Sequence, residues 1–563
     1  MLCNKEMFMR KILKRVISGA LIASMMLSFS ACGKENDNKE TTTVNVEDMT
    51  PEEFYGVDSW AAVENEVSTE DHYRNYYEVF VYSFADSDGD GIGDIQGLIS
   101  KLDYIQDLGF NGIWLMPIMP STTYHKYDVT DYRNIDAEYG TLDDFSDLID
   151  ECHKRNINVI IDLIFNHTSS KHEWFVTAKE YYKSLEAGAE PDFEECPYAN
   201  YYNFKKTEDL VNASAYTKIQ GSEYSYESMF WSEMPDLNLN NEAVRKEIED
   251  IVDFWIDLGV DGFRLDAAKE YTSANAEANI EVLNWFSNYV KGVKEDAYIV
   301  AEVWDTYARI KQYYSSGIES IFDYAYGDSS GLLFTCVNQG NGKKLATNIQ
   351  KTEAGYLEEN PNMVNAPFGS NHDTGRIAGF TSKIEEKIKI TAAINQIMSG
   401  CSFVYYGEEI GMSGSGKDEN KRAPMYWTIS TDGIMTDGPS AMDSGITHNF
   451  GTVEEQMENK NSIYWYYKKM LHIRNTYEEI PKGRTTALEN LDDDGICGLL
   501  KKYNDESMYI LCNVTNEEIT VTLSKSEYSY EKMVEFLVTN IEQEIKIDGD
   551  KITLPPYSIA FLK

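Results

Sequence analysis

The stretch Asn158-Val-Ile-Ile-Asp-Leu-Ile-Phe-Asn-His167 decides the fold. Its short apolar run is rich in β-branched residues and predicts a strand over residues 158–164. The run ends in two polar side chains, Asn166 and His167. An apolar strand that ends in polar side chains is typical of a parallel sheet whose carboxyl edge carries the chemistry.

Seven further runs of the same kind predict strands, with helical periodicity between them. Helical segments 95–108 and 244–258 each place their apolar residues on one face. Eight strand–helix units predict an α/β fold, a (β/α)₈ TIM barrel, and an open doubly wound sheet is the alternative. The other predicted strands are residues 79–84, 112–116, 262–265, 298–302, 321–325, 366–370 and 401–406.

Two segments depart from this alternation of strands and helices, and each predicts an additional domain. Residues 168–233 are too long for a structureless loop, so we expect a small inserted domain after the third strand. From residue 481 to 563 the pattern contains strands only, which predicts a C-terminal antiparallel β-sandwich. The barrel then consists of residues 71–167 and 234–480.

The amino terminus predicts secretion and attachment to a membrane. Residues 1–31 combine a basic start with a short apolar segment, as in a signal peptide. Phe29-Ser-Ala-Cys32 resembles a bacterial lipobox, so we expect lipidation at Cys32 and attachment to the outer face of the cell membrane by that lipid alone. Residues 32–70 are polar and predict a flexible tether. An ordinary secretory signal is the alternative.

Composition limits the partners. The chain has 563 residues, with 94 acidic and 50 basic side chains, for a net charge of −44. This charge repels nucleic acid and anionic lipid and is compatible with a neutral substrate. The 39 tyrosines suit either sugar rings or a core. The eight cysteines show no metal-ligand spacing, and six of them lie in apolar segments that predict buried free thiols.

Three carboxylates stand at predicted strand ends. Asp266, Glu302 and Asp373 follow the fourth, fifth and seventh strands, so a barrel would bring them to one mouth. Neighbouring carboxyls shift each other's pKa, so that one can donate a proton while another attacks, as glycoside hydrolysis requires. Arg264 shares a face with Asp266 and could keep it ionised. For each residue alone, a structural hydrogen bond is the alternative.

An acidic loop follows the first predicted strand. Asp86, Asp88, Asp90 and Asp94, with the carbonyl of Ile92, offer hard oxygen ligands at the spacing that suits Ca²⁺, or Mg²⁺. The loop lacks the closing glutamate of an EF-hand, because Gly97 occupies that place. A solvated turn is the alternative.

With these motifs in order, the chain from about Tyr73 to Lys563 resembles glycoside hydrolase family 13, the alpha-amylase family. Four segments match the family in order. The first ends at His167, and the second is Gly262-Phe-Arg264-Leu-Asp266-Ala-Ala-Lys269. The third is Glu302-Val-Trp304, and the fourth is Ser370-Asn-His372-Asp373. The resemblance implies that Asp266 is the nucleophile, Glu302 the acid and base, and Asp373 a stabiliser of the transition state. It also implies a retaining mechanism and a cation in the acidic loop.

The resemblance implies further residues that bind the sugar. His125 and Tyr127 match a family histidine and aromatic platform, although Lys126 stands where the family usually has glycine. A second family calcium site would use Asn166, and Glu270 replaces the histidine usual there. The full predicted substrate-binding set is Tyr82, His125, Tyr127, His167, Arg264, Lys269, His372 and Arg376.

The segment Met234-Pro-Asp-Leu-Asn238 resembles an intermediate group of the family that includes alpha-amylases. We therefore expect a monomeric enzyme that binds starch and maltooligosaccharides and cleaves internal alpha-1,4 links. The alternatives are an alpha-glucosidase or oligo-1,6-glucosidase, a neopullulanase, a transglycosylase, and a non-catalytic starch-binding lipoprotein. The retention of Asp266, Glu302 and Asp373 argues against the last.

Overall fold

The structure is a computed structural model that describes residues 49–55, 72–273, 275–430, 433–444, 446 and 448–563. The predicted signal peptide, Cys32 and most of the predicted tether lie outside these residues. Within the described ranges, no helix combines the length and apolarity needed to cross a membrane. The first described element is the short helix Pro51–Tyr55, whose Tyr55 stacks on Trp465 with ring centroids 5.3 Å apart.

The barrel is a parallel sheet closed on itself. Seven strands pair side by side, in the spatial order Ser402–Tyr405, Asn75–Val79, Gly112–Leu115, Asn158–Leu163, Gly262–Leu265, Tyr298–Ala301 and Ser320–Ile321. The remaining gap is filled by residues 366–368, since Ala366 pairs with Phe322 and Phe368 with Phe403, both in parallel. The structure confirms the predicted (β/α)₈ barrel.

The first strand begins earlier than predicted. The sequence favours residues 79–84, but the strand is Asn75–Val79 and a 3₁₀ turn, Val81–Ser83, follows. The strand was missed because it contains two buried polar residues, Asn75 and Glu78. Both side chains have hydrogen-bond partners, which is why burial is tolerated: Asn75 Nδ2 donates to Asn475 Oδ1 at 2.8 Å, and Glu78 accepts from His372.

Helices surround the barrel, and polar caps begin several of them. Thr141 forms a capping box with Asp144, and Asn241 accepts from the N–H of Ala243. The predicted helix 95–108 is divided in two at Ser100 and Lys101. The helices of this part are Ile95–Ile99, Leu102–Leu108, Leu142–Lys154, Glu242–Asp257, Ala276–Val293, Tyr307–Tyr313, Leu332–Gln339, Gly342–Glu359, Ile377–Phe380, Glu385–Ile397, Asp418–Lys421, Val453–Glu458, Ile463–Thr476 and Glu479–Lys482.

The inserted segment, residues 168–233, lies at the mouth of the barrel, where its Phe230 lines the cleft. Its three short antiparallel strands, Phe204–Lys206, Tyr224–Glu227 and Tyr216–Lys218, pair in that spatial order. The helix Glu173–Ser184 packs on them through aromatic rings, with Tyr182 and Phe204 centroids 4.0 Å apart. These aromatic contacts explain the tyrosine-rich sequence of this segment.

The C-terminal part has two antiparallel sheets with a shared apolar core. The predicted sandwich is present. Apolar runs predict strands at 498–503, 508–514, 520–523, 552–554 and 558–562, and the structure adds three with mixed or exposed patterns: Arg484–Ala487, Met533–Leu537 and Lys546–Asp548. Its other strands are Ile496–Tyr503, Glu506–Asn513, Ile519–Thr522, Lys551–Leu554 and Ile559–Leu562. All six described cysteines are buried free thiols, as predicted.

Candidate active site

A cleft of about 510 Å³ opens at the carboxyl ends of the barrel strands, where the sequence predicts the chemistry. The three predicted carboxylates, Asp266, Glu302 and Asp373, all line it. The other lining residues are His125, Tyr127, His167, Phe230, Met234, Ala267, Lys269, Glu270, Trp304, Asp418 and Arg422.

Arg264 is the centre of the polar network beneath the cleft. The side chain is wholly buried in the strand Gly262–Leu265. Its Nη1 donates to Asp266 Oδ1 at 2.6 Å and to Asp162 Oδ1 at 2.8 Å. Its Nη2 donates to Glu302 Oε2 at 2.7 Å. One guanidinium therefore holds two of the cleft carboxyls in fixed positions through charge-assisted hydrogen bonds.

Glu302 has the electrostatic properties of a proton donor. Burial raises its pKa to about 7, with Arg264 opposing the rise and the carboxylates of Asp266 and Asp373 adding to it. The backbone N–H of Ala267, whose φ is +48°, donates to Glu302 Oε2 at 3.1 Å. Burial also raises the pKa of Asp266, and Arg264 opposes that rise. Near neutral pH this site can hold a protonated Glu302 beside an ionised neighbour.

His372 lies between two carboxylates. Its Nδ1 is 2.6 Å from Glu78 Oε1, and its Nε2 is 2.9 Å from Asp373 Oδ2. Burial opposes the charged imidazole, but Asp373 and Glu78 outweigh it and raise the pKa of His372 to about 9. The ring is therefore a cation at neutral pH, and it donates to both acids.

Asp373 is held ionised by two cations. Arg422 Nη2 donates to its Oδ1 at 2.8 Å, on the side opposite His372. Burial opposes ionisation of Asp373, but His372 and Arg422 together hold its pKa well below the usual range. A permanently ionised carboxylate at the cleft surface can accept hydrogen bonds from sugar hydroxyls and stabilise positive charge near a reacting carbon.

An aromatic wall stands beside these groups. The Tyr127 hydroxyl lies 2.9 Å from Asp162 Oδ2 and 2.6 Å from His372 Nε2, so its ring is fixed. His167 Nε2 lies 3.2 Å from the carbonyl of Tyr127. Burial lowers the pKa of both His125 and His167 to about 4, so the two rings are neutral at physiological pH. Neutral imidazoles and a phenol ring suit an uncharged sugar.

The cleft also has exposed apolar residues. Trp304 is 40% exposed and stacks on Tyr324 with centroids 5.2 Å apart. Phe230 is 51% exposed and lies 5.5 Å from the His167 ring. Lys269 Nζ donates to the carbonyl of Trp304 at 2.8 Å. Exposed aromatic surface at a cleft mouth is favourable for contact with a flat, partly apolar ligand.

Four of the eight predicted substrate-binding residues do not line the cleft. Arg264 and His372 are buried beneath it and hold its carboxylates. Arg376 and Tyr82 lie farther away. Arg376 is wholly buried, and its guanidinium donates to the backbone carbonyls of Tyr406 and Lys421. The prediction that Arg376 binds substrate is therefore not supported, because its donors face the barrel interior. Tyr82 does not line the cleft and packs edge-on against Tyr124 at 5.9 Å.

The sequence pattern assigned no role to three charged residues of the network, Glu78, Asp162 and Arg422. Glu78 carried a signal, since a glutamate inside an apolar strand demands a buried partner. Arg422 follows the short helix Asp418–Lys421 in the connection after the last barrel strand, and no periodic pattern marks it. Only the folded chain shows that this loop turns back to Asp373.

The acidic loop after the first strand brings three of its four carboxylates together. Asp86, Asp88 and Asp94 each place one oxygen within 4.8 Å of the others, whereas Asp90 instead accepts the N–H of Ile92 at 2.8 Å. Gly91 has φ +91°, and a Cβ there would lie 2.7 Å from Asp437 Oδ2. Three clustered carboxylate oxygens with no basic side chain among them fit a hard divalent cation.

A second group of oxygen donors lies between the barrel and the inserted segment. The Oδ1 of Asn166 is buried and has no hydrogen-bond partner in the part of the chain that the structure describes. Asn166 Nδ2 donates to Asp236 Oδ1 at 3.4 Å, and burial raises the pKa of Asp236 to about 7. An orphaned amide oxygen beside a carboxyl also fits a hard cation.

Comparison with known proteins agrees with this geometry. The family model described as the alpha amylase catalytic domain matches residues 78–483, and that of the alpha-amylase SusG C-terminal domain matches residues 496–559. Alpha-amylase 3 of Dictyoglomus thermophilum is 37% identical, over 87% of this chain and 93% of that protein. Oligo-1,6-glucosidase of Bacillus cereus is 26% identical, over 86% and 98%. The solved structure of Eubacterium rectale Amy13B superposes with a TM-score of 0.85 and 45% identity, over 88% of this chain and 96% of that chain.

Proposed function

The chain belongs to the alpha-amylase family of glycoside hydrolases, and from this premise we propose that it is a retaining, endo-acting alpha-amylase that hydrolyses alpha-1,4-glucosidic bonds in starch and maltodextrins. The observation that carries the proposal is the bridge of Arg264 between Asp266 and Glu302. It fixes a nucleophile and a proton donor of raised pKa in one cleft.

The first step forms a glycosyl-enzyme. Glu302 gives its proton to the glycosidic oxygen as the bond from that oxygen to the anomeric carbon breaks, and Asp266 attacks this carbon. The departing chain leaves with a new hydroxyl, and an ester joins the sugar to Asp266. Asp373 accepts hydrogen bonds from sugar hydroxyls, and its carboxylate, held ionised by the buried His372 imidazolium, stabilises the oxocarbenium-like transition state.

The second step reverses the roles. Glu302, now ionised, takes a proton from water, whose oxygen attacks the same carbon and releases Asp266. Two inversions retain the anomeric configuration. Arg264 stabilises Asp266 both as attacking and as leaving carboxylate, because its Nη1 stays within hydrogen-bond distance of Oδ1.

The choice of substrate rests on Met234-Pro-Asp-Leu-Asn238 and on the likeness to the alpha-amylase of D. thermophilum. The likeness to the oligo-1,6-glucosidase of B. cereus makes exo-acting alpha-1,6 cleavage the rival. Product profiles on amylose, pullulan and isomaltose separate them. Early mixed maltodextrins from amylose support the proposal. Glucose from isomaltose supports the rival, and panose from pullulan supports a neopullulanase.

A cation in the loop of Asp86, Asp88 and Asp94 belongs to the proposal, because this donor set fits Ca²⁺ or Mg²⁺. Bound there, a divalent cation would offset two of the three carboxylate charges and stabilise the loop before helix Ile95–Ile99. Asp94 also caps that helix by accepting the N–H of Gly97 at 2.7 Å. The proposed role is therefore structural, and no step of hydrolysis passes through it.

We further propose that the enzyme is anchored at the outer face of the cell membrane through a lipid on Cys32. The support is the sequence alone, namely the basic and apolar start followed by Phe29-Ser-Ala-Cys32. Metabolic labelling with a radioactive fatty acid tests this. Label in the wild-type protein and none in Cys32→Ala supports the anchor, and an unlabelled, released wild-type protein contradicts it.

A further inference from the structure

Lys126 is an unusual residue that is buried behind the wall of the cleft. It lies between His125 and Tyr127, yet only 3% of its surface is exposed and it does not line the cleft itself. Its φ of +64° is in the left-handed region, which lysine rarely adopts. A strained, buried lysine persists only where other contacts determine it.

The side chain of Lys126 points away from the cleft into a group of acids. Its Nζ lies 3.0 Å from Asp136 Oδ2, contacts Glu138 Oε2 and sits 5.3 Å above the Tyr139 ring. Asp136 is itself buried, and its Oδ2 also accepts the N–H of Ser121 at 3.1 Å. The ammonium and this carboxylate are therefore paired out of contact with water, where removal of one partner is costly.

A second carboxylate closes the other side of the same loop. Asp128 accepts hydrogen bonds from the hydroxyls of Ser121, Thr122 and Thr123, and Ser169 Oγ donates to it at 3.1 Å. Residues 121–128 thus form a closed loop. It is held by Asp128 at one point and by the ion pair of Lys126 at another.

The conformation of this loop sets the positions of the His125 and Tyr127 rings, which line the cleft on either side of Lys126. The Tyr127 hydroxyl must reach Asp162 and His372 together, at 2.9 and 2.6 Å. The backbone N–H of Tyr127 donates to His125 Nδ1 at 3.2 Å, so the orientation of the His125 ring depends on the backbone of Tyr127. Release of Lys126 would let its backbone relax from φ +64° and rotate both side chains.

We propose that Lys126 is a positioning residue whose buried ion pair with Asp136 and Glu138 holds His125 and Tyr127 against the sugar ring on the non-reducing side of the scissile bond. The inference rests on the proposed glycosidase function. It adds a role for a residue that touches no substrate and that replaces the glycine usual in the family.

The test uses Lys126→Met, which keeps the stem and removes the charge, in wild-type and Tyr127→Ala backgrounds. Lys171→Met, at an exposed lysine, is the control. All rates are measured well below the melting temperature of each variant. We expect Lys126→Met to lower kcat/KM on maltoheptaose at least 10-fold in the wild-type background and less than threefold in the Tyr127→Ala background. If Lys126→Met does not fold, Lys126→Gly replaces it, because glycine adopts φ +64° without strain.

A purely structural role would lower the melting temperature and leave kcat/KM within twofold of wild type, which overturns the proposal. An equal loss in both backgrounds also overturns it. If wild type cleaves isomaltose rather than amylose, the endo-acting assignment fails. The same cycle is then run on isomaltose, so the role of Lys126 is still decided.

Discussion

Arg264 Nη2 lies 2.7 Å from Glu302 Oε2 at the floor of the cleft, where neither side chain is more than 11% exposed. The opposite nitrogen of the same guanidinium holds Asp266 at 2.6 Å. The relative position of the proposed acid and nucleophile therefore depends on one planar group. A lysine ammonium is a point charge and cannot replace two donor nitrogens that stand apart in one plane.

Replacing Arg264 by lysine tests this dependence. We expect kcat/KM on amylose to fall about 10²–10³-fold, because a compact ammonium cannot occupy the positions of both Nη1 and Nη2. The free energy of unfolding should fall by about 3–5 kcal/mol, since buried acids lose their partner. Kinetics and urea unfolding measure the two effects. Arg309→Lys, at an exposed arginine, should change neither, and near-wild-type activity in Arg264→Lys would refute the bridge.

The raised pKa of Glu302 predicts the alkaline limb of activity. The acid must be protonated to act, and its pKa is about 7, so kcat/KM should fall about tenfold per pH unit above that value. Below it, activity should hold until Asp266 takes up a proton. Initial rates on amylose at constant ionic strength, between about pH 5 and pH 9, measure this. A rate that still rises above neutrality would contradict the assignment.

Removing the acid should be rescued by a better leaving group. Glu302→Gln should lower kcat/KM on amylose by about 10²–10⁴. With an alpha-maltosyl fluoride the fluoride leaves without protonation, so the first step should stay close to the wild-type rate. Release of fluoride measures it. Glu358→Gln, an exposed glutamate, is the control, and equal losses on both substrates would argue against an acid at this position.

Arg422 is expected to support the ionised state of Asp373. Arg422→Met removes the donor 2.8 Å from Asp373 Oδ1, a charged hydrogen bond worth about 1.5–3 kcal/mol. We expect kcat/KM to fall about 10–100-fold, because Asp373 loses one of the two cations that hold its carboxylate ionised and in place. Initial rates on amylose measure this, and Lys417→Met, at an exposed lysine on the same connection, should leave kcat/KM unchanged. An unchanged kcat/KM in Arg422→Met would show that His372 alone suffices.

Chelation should destabilise the enzyme through the acidic loop. Removal of a cation held by Asp86, Asp88 and Asp94 leaves clustered negative charge, so EDTA should lower the melting temperature by several degrees and Ca²⁺ should restore it. Asp88→Asn should melt lower and respond less to EDTA, whereas Asp103→Asn, an exposed aspartate, should behave as wild type. The donors near Asn166 would sustain a residual response in Asp88→Asn. An EDTA response of equal size in both variants would place the cation elsewhere.

The sequence pattern predicted the features that depend on residues close together in the chain. Each barrel strand but the first lies within two residues of its predicted start, because a buried parallel strand is a continuous apolar run. The sequence also predicted that Asp266, Glu302 and Asp373 meet at one cleft, because they follow such runs. Asn75–Val79 was misplaced because its buried Glu78 breaks the run, and its partner His372 lies far along the chain.

What the sequence could not show depends on how loops return to the barrel. Arg422 reaches Asp373 from an irregular connection, and Arg376, only three residues from Asp373, turns inward to backbone carbonyls. The buried position of Lys126 is also set by acids ten and twelve residues away. Proximity in sequence misassigned Arg376, because only the folded loop decides which guanidinium faces the substrate.

The most direct test of the central claim is to trap the glycosyl-enzyme. Glu302→Gln, which lacks the base for the second step, is mixed with alpha-maltotriosyl fluoride, and the protein mass is measured before and after peptide digestion. The account predicts an added maltotriosyl group, located on Asp266 and absent when Asp266→Asn is introduced as well. An unmodified protein that still releases fluoride, or a label on another residue, would contradict Asp266 as the nucleophile of a retaining mechanism.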